Sequence, residues 1–462
     1  MHIDPASFRD PSGNVFLIDE KVFRTVNAPA IDDFEYVEST ELMSRLVEKG
    51  WCVESKVVDP KSLNGFAGDT KYVLQHSKIP FISYPYEWPF AALKAAALLH
   101  LDIHLLALSH GVTLSDASAY NVQFIGASPI FIDRLSFVRY HDGDLWVGHR
   151  QFCEQFLNPL LLRALLGIPH NAWYRGRLEG IATEELNRLI PITKKLSFRI
   201  LAHVVLQSSF QKNARKRPDA TQTEQIKQAR LPLASLVNML GKLRTWIEGL
   251  EPADTGPTVW GDYTKSHSYA SAELDEKHQF VAEFAKAVQP KMLWDIGCNT
   301  GDFSMTALEA GAGSAIGFDF DQAVLDLGFS RSQKTKAPFL PLFLDAANPS
   351  PDQGWAAKER KGLQDRATAD GLLALAFVHH MAIAKNIPLK GLLSWLTGFA
   401  PQGIIEFVPK SDAMVQELLR LRKDIFEDYT EEAFFGYLQE FATVERSLQV
   451  SQSGRKLVWY RR

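Results

Sequence analysis

Cysteine is scarce: the 462-residue chain has three, Cys52, Cys153 and Cys298, far apart and odd in number. That excludes a disulfide framework and any zinc site of regular cysteine spacing, and it fits a reducing cytoplasm. An excess of one charge is also lacking. With 50 Lys and Arg against 54 Asp and Glu the formal net charge is -4, which gives no global electrostatic reason to bind nucleic acid or an anionic membrane. No positive stretch followed by an apolar run opens the chain at "MHIDPASFRDPSGNVF", so no signal peptide is expected. A long apolar run free of ionisable groups is missing too. The most apolar window, "FAALKAAALLHLDIHLLAL", carries Lys94, His100, Asp102 and His104, which are costly in a bilayer, so a buried helix rather than a membrane span is expected.

What remains is ordinary globular composition, 46% hydrophobic and 23% charged, at a length that calls for two or three domains. From Trp294 onward, short apolar runs ("MLWDIGC", "SAIGFDF", "FLPLFLDA", "GLLALAF", "GIIEFVP") alternate with stretches of helical composition. This βαβ order predicts a mainly parallel sheet with helices on both faces. "TVERSLQV" and "KLVWYRR" around "SQSG" predict a closing antiparallel hairpin. Residues 151–255 read as a helical segment, and "EPADTGPTVWGDYT" marks a boundary, so the last domain is placed at 256–462. Residues 1–150 read as α+β, with a hairpin in "NVFLIDEKVFRTV" and helices in "VESTELMSRLVEKG" and in the apolar window stopped by Gly111. The basic stretch holding Lys212, Arg215, Lys216 and Arg217 reads as a solvated surface or as a contact for an acidic substrate.

The first apolar run of the last domain leads into Asp295, Gly297, Asn299 and Gly301, a D-x-G-x-N-x-G turn of residues that tolerate left-handed backbone and let it approach a ligand at a helix N-terminus. About 20 residues on, Asp319 stands where a carboxylate accepts both hydroxyls of a ribose. Asp345, at the third strand end, stands where an acid can reach an adenine amino group. A dinucleotide fold would favour G-x-G-x-x-G and a phosphate loop G-K-[ST]; neither is present.

These motifs resemble the class I S-adenosylmethionine-dependent methyltransferases over residues 260–462: "DIGCNTG" their glycine-rich motif, "GFDFD" their ribose acid, "LDA" their adenine contact, and the hairpin their seventh-strand insertion. The resemblance implies a Rossmann-like seven-stranded sheet and S-adenosylmethionine as cofactor. It implies further that Gly297 and Gly301 flank the methionine portion, Asp319 holds the ribose, Phe320 lies against the adenine, and Asp345 with Ala346 meets its amino group. His379 and His380 follow the fourth strand, where a neutral imidazole could deprotonate an acceptor or simply pack, and His380 is preferred. Glu406 at the end of the fifth strand and Lys410 just beyond could orient a substrate or form a loop ion pair, and Tyr263, His267 and Tyr269 could cover the cofactor or only pack. No D/N-P-P-Y/F turn follows the fourth strand and Cys298 lies inside the glycine turn, so an oxygen or aliphatic nitrogen is the expected acceptor. No metal is expected in this site.

In the first half, "LSDASAYNVQFIGASPIFIDRLSF" holds Asp116, Asn121 and Asp133. The segment resembles the catalytic and metal-binding segments of kinase-like phosphotransferases, in which the first Asp is the base and the Asn and second Asp hold magnesium. Leu114, Ser115, Arg134 and Leu135 depart from that pattern, no Gly-rich phosphate loop precedes it, and Lys21, Arg24 and Lys71 are candidates for a strand lysine. A degenerate kinase-like domain that binds or presents the acceptor is expected; the alternative is an ATP- and magnesium-dependent phosphotransferase, or a bifunctional kinase-methyltransferase, using Asp116, Asn121 and Asp133. With "ISYPYEWPF", the chain is similar to bacterial nodulation-protein-like methyltransferases over nearly its whole length. The acceptor expected is a small molecule or glycolipid, and oligomeric state has no sequence signal.

Overall fold

The computed structural model describes residues 2–63, 70–206, 230–254 and 271–462 of the protein. The alternating apolar pattern near the N-terminus folds into strands β1 (His2–Ile3), β2 (Val15–Ile18), β3 (Lys21–Val26), β4 (Ser55–Val58) and β5 (Tyr72–His76). They pair antiparallel in the order β1-β2-β3-β5-β4. The two residues between β2 and β3, Asp19 and Glu20, both take left-handed backbone (φ 48° and 63°), as a tight hairpin turn requires. "VESTELMSRLVEKG" was expected as one helix but forms parts of two, Ile31–Glu38 and Leu42–Glu48. Ser39 and Thr40 break it: their hydroxyls donate to the Tyr36 and Val37 carbonyls at 2.6 and 2.7 Å and compete with the helical ladder.

The apolar window forms the helix Phe90–Leu108, buried on most sides and followed by Gly111 at φ +69°. By length and composition it could cross a membrane, but 61% of its most apolar stretch is buried in this fold, as in the core helix of a soluble protein. Four short strands follow: β6 (Val112–Leu114), β7 (Val122–Ile125), β8 (Ser128–Phe131) and β9 (Phe137–Arg139), paired β6 with β9 and β7 with β8. The middle segment is helical. It contains two π-helical turns, Cys153–Leu157 and Leu201–Leu206, and the helix Leu233–Glu248, whose Arg244 forms an ion pair with Asp102 on the long buried helix.

The short apolar runs of the C-terminal half become β10 (Leu293–Ile296), β11 (Ala315–Asp319), β12 (Phe339–Phe343), β13 (Gly371–Ala374) and β14 (Gln402–Phe407), and the final pair becomes β15 (Thr443–Gln449) and β16 (Lys456–Arg461). The sheet has seven strands in the order β12-β11-β10-β13-β14-β16-β15. β10 to β14 are parallel, and β16 is antiparallel to both its neighbours. β10 is buried throughout, in keeping with its apolar sequence, which only Asp295 breaks. Pro341 lies within β12, and β12 is an edge strand, where a missing N–H is tolerated. Chain order reverses between β10 and β13, the position beside whose carboxyl ends open α/β sheets take their ligands.

The two halves share one continuous core. Phe81 stands edge-on to Trp294 with ring centroids 5.7 Å apart, and Phe124 to Phe329 at 5.8 Å. Buried polar groups cross the same junction: Arg163 donates to Asp326 at 2.7 Å, Gln322 to Asn171 at 2.8 Å, and Arg366 pairs with Glu87 where both side chains are under a tenth exposed.

Candidate functional site

Three of the five residues after β10 are left-handed: Gly297 (φ 83°), Asn299 (φ 51°) and Gly301 (φ 83°). A side chain at Gly301 would sit 2.4 Å from the Phe339 ring, so glycine is required by space as well as by backbone. The turn is tied to the neighbouring strand by the Gly297 and Cys298 N–H groups, which donate to the Phe318 carbonyl at 2.8 and 3.0 Å. Thr300 N–H donates to Asn299 Oδ1 at 2.7 Å, and the helix Asp302–Glu309 starts directly after Gly301. Backbone N–H groups at the start of a helix favour an electron-rich ligand group.

Asp319 closes the arrangement from β11. Its carboxylate accepts from the Asn299 N–H at 2.8 Å and from the Asp321 N–H at 2.9 Å, so it touches the glycine turn itself. Burial raises this carboxyl above its ordinary value, and those N–H groups oppose the shift. Phe320 beside it is 59% exposed, a large apolar ring left open to solvent, with Phe343 at 5.7 Å. Asp345, half-buried just past β12, accepts from the Ala347 N–H at 3.1 Å, and Ala346 is half-buried next to it. The three acids thus stand at the ends of adjacent strands.

Asp295 differs from the other two: it is fully buried and accepts from the Ser304 hydroxyl at 2.7 Å. Burial pushes its carboxyl up to about 7, against the Ser304 hydrogen bond. An unfolded Asp releases its proton near ~4. Between that pH and about 7 the folded chain keeps a proton the unfolded chain has lost, so stability falls as pH rises through the window. Asp295→Asn keeps an acceptor for Ser304 and removes the charge. Its gain in melting temperature is expected to be smallest at pH 4, to grow toward pH 7 and to level off above it. Calorimetric scans across that range check this; a gain independent of pH would mean Asp295 carries no titrating proton.

The histidine pair divides. The rings lie 4.0 Å apart, yet His379 is completely buried and neither of its nitrogens has a hydrogen-bond partner, whereas His380 is half-buried at the start of the π-helical turn His380–Ala384. Burial, then His380 and Lys277, holds His379 well below the ordinary imidazole range, and burial lowers His380 to about 4. Both are neutral near pH 7.

Glu406 does not reach a surface where a substrate could be oriented. It is wholly buried, accepts from Lys277 at 2.6 and 2.7 Å and from the Ala376 N–H at 2.8 Å, and has Arg455 at 3.7 Å. Ala376 is left-handed (φ 49°), so Glu406 fixes a strained bend that leads from β13 to the histidines. Lys410 is committed to Asp424 and to the Phe426 carbonyl at 2.6 Å. Sequence reasoning missed Lys277 and Arg455; they lie far from Glu406 along the chain, and no motif marks them. Tyr263, His267 and Tyr269, and the basic stretch with Lys212, Arg215, Lys216 and Arg217, lie outside the described residues.

In the first half, burial and Asp133 raise the Asp116 carboxyl, while the Ser118 N–H and the side chains of Asn121 and Gln151 oppose the rise, so Asp116, Asn121 and Asp133 form one cluster. Asn121 Nδ2 is buried without a hydrogen bond of good geometry. Of the three basic candidates, Arg24 on β3 reaches the cluster: it is buried and pairs with Asp133 at 2.5 Å and with Asp10. Lys71 pairs with Glu35 instead, and Lys21 is exposed.

No family model matches the chain. It is 46% identical over 456 residues, 99% of this chain and 95% of the other, to the nodulation protein NoeA of Rhizobium meliloti (strain 1021). Among solved structures it is similar to N-methyltransferase NodS from Bradyrhizobium japonicum WM9 (12% identity, 41% of this chain and 97% of that one, TM-score 0.30). It is also similar to magnesium protoporphyrin IX methyltransferase from Synechocystis PCC 6803, solved with bound SAH (16% identity, 41% and 84%, TM-score 0.29). Identity and TM-score are low in both, and these two structures carry no argument about this chain.

Proposed function

The chain belongs to the family of the nodulation protein NoeA, and we propose that its C-terminal half transfers a methyl group from S-adenosylmethionine to an oxygen or nitrogen of a small molecule or glycolipid. The observation that carries this reading is the Asp319 carboxylate held against the left-handed turn 297–301 at the point where strand order reverses. The residues fit the cofactor. Asp319 would accept the ribose hydroxyls, exposed Phe320 would lie along the adenine, Asp345 beside Ala346 would take its amino group, and Gly297 and Gly301 would let the methionine portion approach the backbone, with Asn299 and Asp295 shaping the turn.

S-adenosylmethionine supplies a methyl group already activated on a sulfonium. The chain's own task is then to align an acceptor lone pair and remove its proton. His380 is the preferred base because it is neutral and half-buried, while sealed His379 lies beside it with the two rings tilted by 40°. The Lys277–Glu406 pair holds the bend from which both histidines project.

The first half would bind or present the acceptor. A phosphotransferase using Asp116, Asn121 and Asp133 with ATP and magnesium is the second reading, supported by the clustering of those side chains. The Arg24 ion pair favours the binding role, since Asp133 already has a cation opposite it. We place the activity in the cytoplasm. Thermal-shift titration of the full chain separates the readings: stabilisation by S-adenosylhomocysteine is expected. Stabilisation by ATP with magnesium alone would replace the first reading by the second, and no response to either would overturn both.

A further inference from the structure

Three soft donors lie together in the helical middle segment. His149 Nε2 is 3.2 Å from His203 Nδ1, and Cys153 Sγ is 3.7 Å from His149 Nε2. All three donor atoms lie within 4.8 Å of one another, and among the described residues this is the one grouping of three His, Cys, Asp or Glu that does so. Around a tetrahedral zinc ion, bond lengths of about 2.05 Å to nitrogen and about 2.3 Å to sulfur put two nitrogens about 3.3 Å apart and a sulfur about 3.6 Å from a nitrogen. Two of the three edges already have those lengths.

The backbone is unusual at the same place. His149 and Cys153 are four residues apart on one helical face, and Cys153 opens the π-helical turn Cys153–Leu157. His203 lies inside the second such turn, Leu201–Leu206. π-helical turns are rare and gather at functional sites, and here two of them contribute to one cluster. Cys153 is fully buried, and Trp146 and Trp246 stand 5.4 and 5.8 Å from the two imidazoles, so the surroundings are aromatic rather than aqueous. No carboxylate belongs to the cluster. Magnesium and calcium demand oxygen ligands, whereas two imidazoles and a thiolate suit zinc.

We propose that His149, Cys153 and His203 form a zinc(II) site with three protein ligands and a fourth tetrahedral position left to water. On binding, the Cys153 thiol loses its proton to solvent as the zinc–sulfur bond forms, and the imidazole that donates in the His149–His203 contact shifts its proton, by exchange with solvent, to its other ring nitrogen, so that His149 Nε2 and His203 Nδ1 each present a lone pair to the ion. The ion would clasp the start of the helix that continues to Leu166 to the end of the segment that reaches Leu206. Scarce, unevenly spaced cysteines hide such a site from sequence spacing, because two of the three ligands are histidines and one of them, His203, comes from a separate helical segment.

The test uses the full chain, stripped with a chelator and titrated with zinc alone and then with cobalt alone. One equivalent of zinc is expected to bind, and cobalt is expected to give a thiolate charge-transfer band that Cys153→Ser abolishes and Cys52→Ser leaves in place. X-ray absorption on the zinc-loaded native chain, which needs no variant to fold, is expected to find one sulfur and two imidazole nitrogens around the ion. Absence of stoichiometric zinc, a band that survives Cys153→Ser, or a first shell without sulfur would each overturn the site.

Discussion

Asp319→Asn is expected to weaken binding of S-adenosylhomocysteine about 100-fold. A carboxylate that accepts both ribose hydroxyls makes two charge-assisted hydrogen bonds, each worth roughly 1.5–3 kcal/mol. Losing the equivalent of about 3 kcal/mol corresponds to about two decades in Kd. Asn also turns an NH2 group toward one of the two N–H donors, Asn299 or Asp321, that the carboxylate now satisfies, so the turn loosens as well. Titration calorimetry at a temperature where the variant is folded reads the effect directly. An affinity within threefold of the native chain would remove Asp319 from the cofactor and with it the main support for methyl transfer.

The second large effect concerns stability. Arg366→Met strands the Glu87 carboxylate, which is 5% exposed, at the junction between the halves. Arg366 meets Glu87 through both terminal nitrogens, donates to the Ile82 carbonyl at 2.7 Å, and lies 4.6 Å above the Tyr84 ring. Removing one member of a buried pair typically costs about 3–5 kcal/mol because the other charge is left uncompensated. Denaturant unfolding of the variant is expected to show a loss of that size, and Glu87→Gln added to Arg366→Met is expected to recover a large part of it. A loss under about 1 kcal/mol would mean that water reaches Glu87 after all.

The strands of the C-terminal half were legible because each is a short apolar run bounded by turn residues, and the glycine turn because Gly297, Asn299 and Gly301 take left-handed backbone that few residue types adopt. Asp319 was legible from its distance along the chain. The supports were not. Lys277 meets Glu406, Arg455 approaches it, Glu87 meets Arg366, and Arg24 meets Asp133 across separations that carry no periodic signal. Exposure was equally hidden: nothing in "VHHM" says that the first imidazole is sealed and the second partly open. Glu406 read as a residue at the mouth of the crevice because it ends a strand, yet the helix Ser271–Val288 brings Lys277 over it. The middle break in "VESTELMSRLVEKG" was a matter of two hydroxyls competing with the backbone, which apolar spacing does not report.

Pro341 has a consequence beyond β12 itself. Leu344 N–H donates inward to Asp319, and Pro338 accepts from Ala315, so by alternation the backbone position of Pro341 faces away from β11. Pro341 is itself buried, so this margin is covered by the rest of the fold and lacks a donor as well. At the opposite rim β15 offers Glu445 and Arg446 in place of a smooth apolar ribbon. Both margins are therefore blunted against sheet-by-sheet growth, and this chain can keep a wide, strongly apolar sheet without inviting fibrils.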